Sequence, residues 1–117
     1  MGKFGTLLRQ VRSGAGVSMG KVARHLDMRV SHLSDVELGR RAPLSTDRIR
    51  KVGDFLDVDA TPLLIAAAEE KGVFELNTQN VSPRARQVVA ALARELPDLN
   101  ELQLERIEEI VRPKGGG

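Results

Sequence analysis

Two short amphipathic segments, with a corner of about three residues between them, lie in residues 16–39, GVSMGKVARHLDMRVSHLSDVELG. The apolar residues that recur at helical spacing are Val22, Ala23 and Leu26 in the first segment and Leu33 and Val36 in the second. Ser18 is a suitable N-cap for the first helix, and Gly39 is a suitable C-cap for the second. This pattern predicts two short helices that meet at a tight corner.

Helical spacing also extends outward from this pair, with few alternating β-branched runs, so the predicted fold class is all-α. One helix is expected from Lys3 to Ser13, one from a Ser45 cap to about Leu56, and a fifth after a cap at Asp59. The expected apolar faces are Phe4, Leu7, Leu8 and Val11 in the first helix and Ile49, Val52 and Phe55 in the fourth. The fifth helix is expected to contain Leu63, Leu64 and Ile65.

The periodicity breaks after the fifth helix and then resumes. A sixth helix is expected from Ser82-Pro83 to about Leu96, and a seventh from an Asn100 and Gln103 capping box to Arg112. The predicted organisation is a five-helix domain at residues 1–70, a linker at 71–81, a helical pair at 82–113 and a flexible tail at 114–117.

The net charge of +2 conceals an asymmetry. Residues 1–53 contain eleven Lys and Arg against four Asp and Glu, a net charge of +7, whereas residues 54–117 contain seven against twelve, a net charge of −5. The basic part is typical of a segment that meets a polyanion, and the acidic part indicates another role. The alternative is that both parts of the chain simply expose solvated charged residues in uneven numbers, without a charged partner.

Several classes of function are disfavoured by composition. The chain has no cysteine and only three aromatic residues, which disfavours thiolate metal sites and base-stacking platforms for single-stranded nucleic acid. No nucleophile, base and orienting acid converge, so we expect no enzyme, no cofactor and no metal. No apolar run is long enough to span a membrane, and we expect a cytoplasmic protein without a membrane partner.

The ordered series of motifs resembles the Cro/phage-repressor (XRE) family of helix-turn-helix regulators over about residues 3 to 68. The segments that carry the resemblance are Leu8 to Arg12, Gly16 to Ser18, Val22 to Leu26, Ser31 to Gly39, and Pro43. The resemblance implies a five-helix Cro/repressor-like domain whose third helix enters the major groove of DNA. Asp27 departs from the family pattern, which usually has Gly at this corner.

The resemblance also implies roles for individual residues. The expected base readers are Val30, Ser31, His32, Ser34 and Asp35. The expected phosphate contacts are the side chains of Arg29, Arg40 and Arg41 and the backbone amides around Ser18 and Met19. Met19 stands where the family often has a Gln that contacts phosphate, so that contact is either lost or replaced by Lys21. Arg12 and Glu37 match a family pair and are expected to be structural.

The expected function is that of a sequence-specific transcription regulator that binds double-stranded DNA, as a homodimeric repressor on a palindromic operator. The alternative is an antitoxin-type autoregulator whose C-terminal helices bind a partner toxin or peptidase. Two helices cannot fully bury both of their apolar faces alone, so they must pack on the fifth helix or on a second copy. We expect their apolar residues to form a dimer or partner interface. These residues are Val88, Leu92, Leu96, Leu104, Ile107, Ile110 and Val111.

Overall fold

A computed structural model describes residues 2–113 of the chain. Within these residues the chain is all helical, without a strand, which confirms the predicted all-α fold class. The α-helices are α1 (Lys3–Gly14), α2 (Met19–His25), α3 (Val30–Glu37), α4 (Thr46–Leu56), α5 (Thr61–Lys71), α6 (Pro83–Glu95) and α7 (Glu101–Val111), and a short 3₁₀ helix at Leu96–Asp98 follows α6. The flexible tail expected at 114–117 lies outside the described residues.

The chain divides into two compact units, and the division falls between Glu75 and Leu76. The first unit contains α1 to α5 and all of the buried hydrophobic residues. In that unit α1 packs against α3 and α5, and α2 packs against α3 and α4. The largest side chains that are fully buried there are Phe4, Leu8, Val22, Leu33, Ile49, Val52 and Leu63. This aliphatic core holds α3, the expected reading helix, on α1 and α2.

A close backbone approach and a hydrogen bond position α1 against α3 and α5. A Cβ atom added to Gly5 would lie 2.3 Å from the carbonyl oxygen of Glu37, so glycine allows the backbones of α1 and α3 to approach closely. At the start of α1, the backbone N–H of Phe4 donates to the Glu70 carboxylate near the end of α5, with an N to O distance of 2.9 Å. The first and last helices of the unit are therefore joined at their ends.

Serine caps set several of the helix starts. Ser18 accepts from the backbone N–H of Lys21 at 3.2 Å, and Ser45 accepts from Arg48 at 3.3 Å. Asp59 was expected to cap α5, but the N-cap residue is Ala60. The Asp59 carboxylate instead accepts from the Thr61 N–H at 2.9 Å and holds the turn that leads into the helix.

Phe55 is a correction to the predicted core. We expected it on the apolar face of α4, but it is 39% exposed and its ring stacks on His25 of α2, with ring centroids 4.2 Å apart. Ile49, Val52, Gly53 and Leu56 form the buried face of α4. Leu56 and the small Gly53 complete this face at helical spacing, and Phe55 is therefore turned towards the side of α2.

The second unit contains α6, the 3₁₀ helix and α7, each with local end contacts. Ser82 caps α6 through the backbone N–H of Ala85 at 3.1 Å, and Asn100 with Gln103 forms the predicted capping box of α7. Arg86 donates to the carbonyl oxygens of Thr78 and Gln79 at 2.7 and 3.0 Å, which fixes the turn before α6. No helix in residues 2–113 is long and apolar enough to cross a membrane.

Candidate nucleic-acid interface

The corner between α2 and α3 depends on a left-handed residue. Asp27 has φ of +53°, and Met28 N–H then donates to the Ala23 carbonyl oxygen at 2.9 Å, which closes the turn. Most residues with a Cβ atom are disfavoured in this region, and Asp tolerates it better than most because its short polar side chain can bond locally. Asp27 therefore adopts the left-handed conformation at the corner where the family usually has glycine, and the two helices meet there without a glycine.

The sequence of α3 determines which of its residues face solvent. Leu33 and Val36 are buried in the core, and Glu37 is buried beside them. Of the five expected base readers, Val30 and Ser31 are exposed, whereas His32, Ser34 and Asp35 are half-buried. The first turn of α3 is thus the part of the helix that is most open to a partner.

An ion pair connects α3 to α1. The Arg12 guanidinium donates through Nε and Nη2 to the two carboxylate oxygens of Glu37, at 2.8 and 3.0 Å, and through Nη1 to the carbonyl oxygen of Val17 at 3.3 Å. The Glu37 side chain is 4% exposed, so the pair is largely withdrawn from water. The hydrogen bond to Glu37 raises the pKa of Arg12 above its ordinary value, and the guanidinium stays charged. This bidentate ion pair fixes the orientation of α3 on α1.

The expected phosphate contacts Arg40 and Arg41 lie beside the expected base reader Asp35. After α3, Gly39 adopts φ of +79°, and the backbone N–H groups of both arginines then donate to the Asp35 carbonyl oxygen, at 2.8 and 3.3 Å. Their guanidinium groups lie 3.9 and 3.7 Å from the Asp35 carboxylate. The left-handed turn thus returns the chain towards α3 and places two exposed cations at its edge.

Three of the remaining expected phosphate contacts lie at the start of α2, and the fourth, Arg29, lies just before α3. Ser18 and Lys21 are exposed, and the Ser18 hydroxyl is occupied as a helix cap. Met19 is half-buried and packs against the hydrophobic core. At Met19, therefore, only the backbone is available for a phosphate. Arg29, which precedes α3, is exposed.

Two cations near α3 were missed by the sequence reasoning. Arg9 lies on a cleft of about 220 Å³ that Met19 and Ser34 also line. Arg24 lies on a cleft of about 620 Å³ that Arg29 and Val30 also line. The available signal was spacing, because Arg9 precedes Arg12 by three positions and Arg24 follows Lys21 by three, which places each pair on neighbouring turns of one helix.

The residues of the expected dimer or partner interface are all accessible in the second unit. Val88, Leu96, Leu104, Ile110 and Val111 are exposed, and Leu92 and Ile107 are half-buried. No residue of α6 or α7 is buried. Within the second unit, α6 and α7 therefore present apolar side chains that the unit itself does not bury.

Comparison with known proteins gives one match. Residues 3–64 match the family described as Helix-turn-helix domain. The matched segment contains α1 to α4 and the beginning of α5, and so includes the corner at Asp27, the ion pair between Arg12 and Glu37, and the edge formed by Arg40 and Arg41. No curated protein and no solved structure matches the chain.

Proposed function

Because the chain belongs to the helix-turn-helix domain family, we propose that it is a sequence-specific regulator of transcription that binds double-stranded DNA and acts as a homodimeric repressor. Membership confirms the resemblance to helix-turn-helix regulators that the sequence indicated. A helix-turn-helix places its second helix in the major groove, where base edges carry a unique pattern of donors and acceptors. That helix is α3 in this chain.

The observation that best supports this function is the surroundings of the exposed end of α3. Val30 and Ser31 face solvent there, Arg29 precedes them, and Arg40 and Arg41 lie exposed after the other end of α3, beside Asp35. Cations on both sides of an exposed helix have the charge pattern that a groove bordered by phosphates requires. The buried pair of Arg12 and Glu37 holds that helix in a fixed orientation.

We assign base reading and phosphate contact to different residues. In this proposal Val30 packs on a thymine methyl, Ser31 and Ser34 donate or accept hydrogen bonds, Asp35 accepts from a cytosine amino group, and His32 lies beside them. The phosphate contacts are Arg29, Arg40, Arg41, Lys21 and the backbone around Ser18 and Met19, to which the clefts add Arg9 and Arg24.

The proposed domain organisation follows from this assignment. Residues 1–70 bind DNA, residues 71–81 link, and the helical pair at 82–113 brings two copies together through its apolar residues. A two-fold dimer lets two copies of α3 enter successive major grooves about 34 Å apart on a palindromic operator. Repression then follows from occlusion of a promoter.

Selection of binding sites from a random duplex library by the full chain tests this function. We expect a two-fold symmetric site with half-sites about 10 base pairs apart. In a gel-shift titration, the selected site should bind at least about 1,000-fold more tightly than a scrambled duplex at physiological salt. Failure to enrich any site, or equal affinity for both duplexes, would exclude sequence-specific regulation.

The Ser31→Ala variant tests the assignment of base reading. Preference at one or two operator positions should be relaxed by about 1–3 kcal/mol, because a side-chain contact to a base edge is lost. Ser13→Ala, at an exposed position of α1, is the matched control and should leave the preference unchanged. Uniform weakening on all duplexes would instead make Ser31 a positioning residue.

The alternative function, an antitoxin-type autoregulator, has support in one observation. The uncovered apolar residues of α6 and α7 offer a docking surface for a toxin or peptidase as well as for a second copy. The oligomeric state of the pure full chain separates the two. A dimer favours the repressor, and a monomer leaves the surface to another protein.

A further inference from the structure

The helices α6 and α7 carry opposite charge. α6 contains Arg84, Arg86 and Arg94 against one carboxylate, Glu95. α7 contains four glutamates, Glu101, Glu105, Glu108 and Glu109, against one cation, Arg106. One helix is therefore basic and the other acidic, although they belong to the same unit.

The acidic residues of α7 lie next to its apolar stripe. Glu101, Glu105 and Glu108 are spaced by four and three residues and so share one side of the helix. Leu104, Ile107 and Val111 form the adjacent stripe by the same spacing. A helix that covered the apolar stripe of α7 would therefore also meet a row of carboxylates.

These charges are not used between the two helices of one chain. In residues 2–113 the ion pairs made by α6 and α7 are local, Arg94 with its neighbour Glu95 at 3.2 Å and Arg112 with Glu108 at 3.4 Å. No ion pair in this described part joins α6 to α7. On α6 the side chain of Arg86 is also engaged, with the carbonyl oxygens of Thr78 and Gln79, whereas on α7 only Glu108 of the four glutamates is in an ion pair within the described residues. The apolar residues, Arg84 and three glutamates of α7 therefore remain available to a partner.

We propose that α6 of one copy packs against α7 of a second copy, and that the reciprocal contact forms at the same time. This inference rests on the homodimer of the proposed function and specifies its interface. A two-fold dimer repeats each contact, so two basic helices meet two acidic helices. Pairing of like helices would place arginines against arginines and glutamates against glutamates.

A second copy fits this surface for a further reason. A partner must supply an acidic amphipathic helix for α6 and a basic amphipathic helix for α7, and the chain itself contains both. The helices also match in length, since 13 and 11 residues correspond to roughly 20 and 17 Å. Their serine and Asn–Gln caps define the helix starts within each copy.

Charge reversal in the full chain tests the pairing. One variant combines Arg84→Glu and Arg94→Glu in α6, and the other combines Glu101→Lys and Glu105→Lys in the row of carboxylates on α7. Arg86 is kept because it holds the turn before α6. In analytical ultracentrifugation we expect each variant alone to raise the dimer Kd at least about ten-fold, because attraction becomes repulsion at both reciprocal contacts.

Two complementations follow from the same geometry. An equimolar mixture of the two variants should form a heterodimer, and a variant with all four substitutions should dimerise within about three-fold of the unmodified chain, since opposite charges again face each other. The matched control is Arg50→Glu with Lys51→Glu on exposed positions of α4, which makes the same change in net charge as the α6 variant. It should leave the dimer Kd unchanged, and far-UV circular dichroism should show equal helix content throughout.

Each contrary outcome has a distinct meaning. A monomeric unmodified chain at tens of micromolar would overturn both the pairing and the homodimer, while DNA binding would still be judged by the gel shift. A dimer that the α6 reversal leaves intact would overturn the pairing alone. Loss of the dimer both in the variant with all four substitutions and in the equimolar mixture would also overturn the pairing, because charge complementarity would then not govern association.

Discussion

Replacement of Arg12 by Met should destabilise the first unit severely. The substitution keeps most of the side-chain volume but leaves the carboxylate of Glu37, a residue that is only 3% exposed, without its two donors. Removal of one partner from a buried ion pair costs about 3–5 kcal/mol, because the remaining charge is neither solvated nor compensated. A unit of this size has a free energy of unfolding of about 4–11 kcal/mol, so the variant should lose about a quarter of it or more.

Urea denaturation followed by circular dichroism at 222 nm measures this loss, since the chain has no Trp or Tyr to serve as a fluorescent probe. The double variant Arg12→Met with Glu37→Met should be less destabilised than the sum of the two single variants, because it removes the charge together with its partner. A loss of less than about 1 kcal/mol in Arg12→Met, or additive losses in the double variant, would refute the view that this pair is a buried, coupled contact.

Three further predictions concern DNA contact, helix packing and pH. Arg41→Ala should weaken binding to all duplexes and reduce the slope of log K against log salt by about one, and a loss confined to particular base pairs would contradict a phosphate contact. Gly5→Ala should lower the melting temperature strongly, because its methyl group would lie 2.3 Å from the Glu37 carbonyl oxygen, and a native melting curve would show that α1 can move away. The Thr61 backbone N–H, followed by the Thr61 side chain, lowers the pKa of Asp59, so this carboxylate adds stability above its unfolded pKa of about 4 and loses it as pH falls further. Asp59→Asn should therefore be less stable than the unmodified chain at pH 7, and the difference should shrink as pH falls below about 4. A difference that stays the same in acid would exclude the titration.

The helices could be predicted from sequence because their signals are local. Apolar residues at helical spacing and a cap such as Ser18 or Ser45 define a helix from its own residues alone. Phe55 could not be placed in this way, because its neighbour Leu56 is also apolar and periodicity cannot choose between adjacent hydrophobic residues. Their separation depends on how α4 is rotated against α2, which is a tertiary property.

In the candidate site, too, some features could be predicted from the sequence and others depend on the tertiary fold. The resemblance supplied the expected roles of the α3 residues, but it did not indicate that Asp35 lies within reach of Arg40 and Arg41. That proximity depends on the left-handed turn at Gly39 and on the path of the chain after it. Arg9 and Arg24 were missed because an isolated arginine on a helix is usually a solvated charge, and only the folded positions of α1 and α2 bring them to the clefts beside α3.

The hydrogen bond from Phe4 to Glu70 has a consequence for the order of folding. It joins residues 66 positions apart, and closure of a loop of that length costs about 4 kcal/mol of chain entropy before any contact is gained. The nearby helices α2 and α3 need no such long closure, so they can associate before α1 and α5 meet. During synthesis α1 leaves the ribosome before the other helices of its unit, yet its contact with α5 must wait for the last helix of that unit. The helix α3, which packs on α1, therefore acquires its complete support only when nearly the whole first unit has been made.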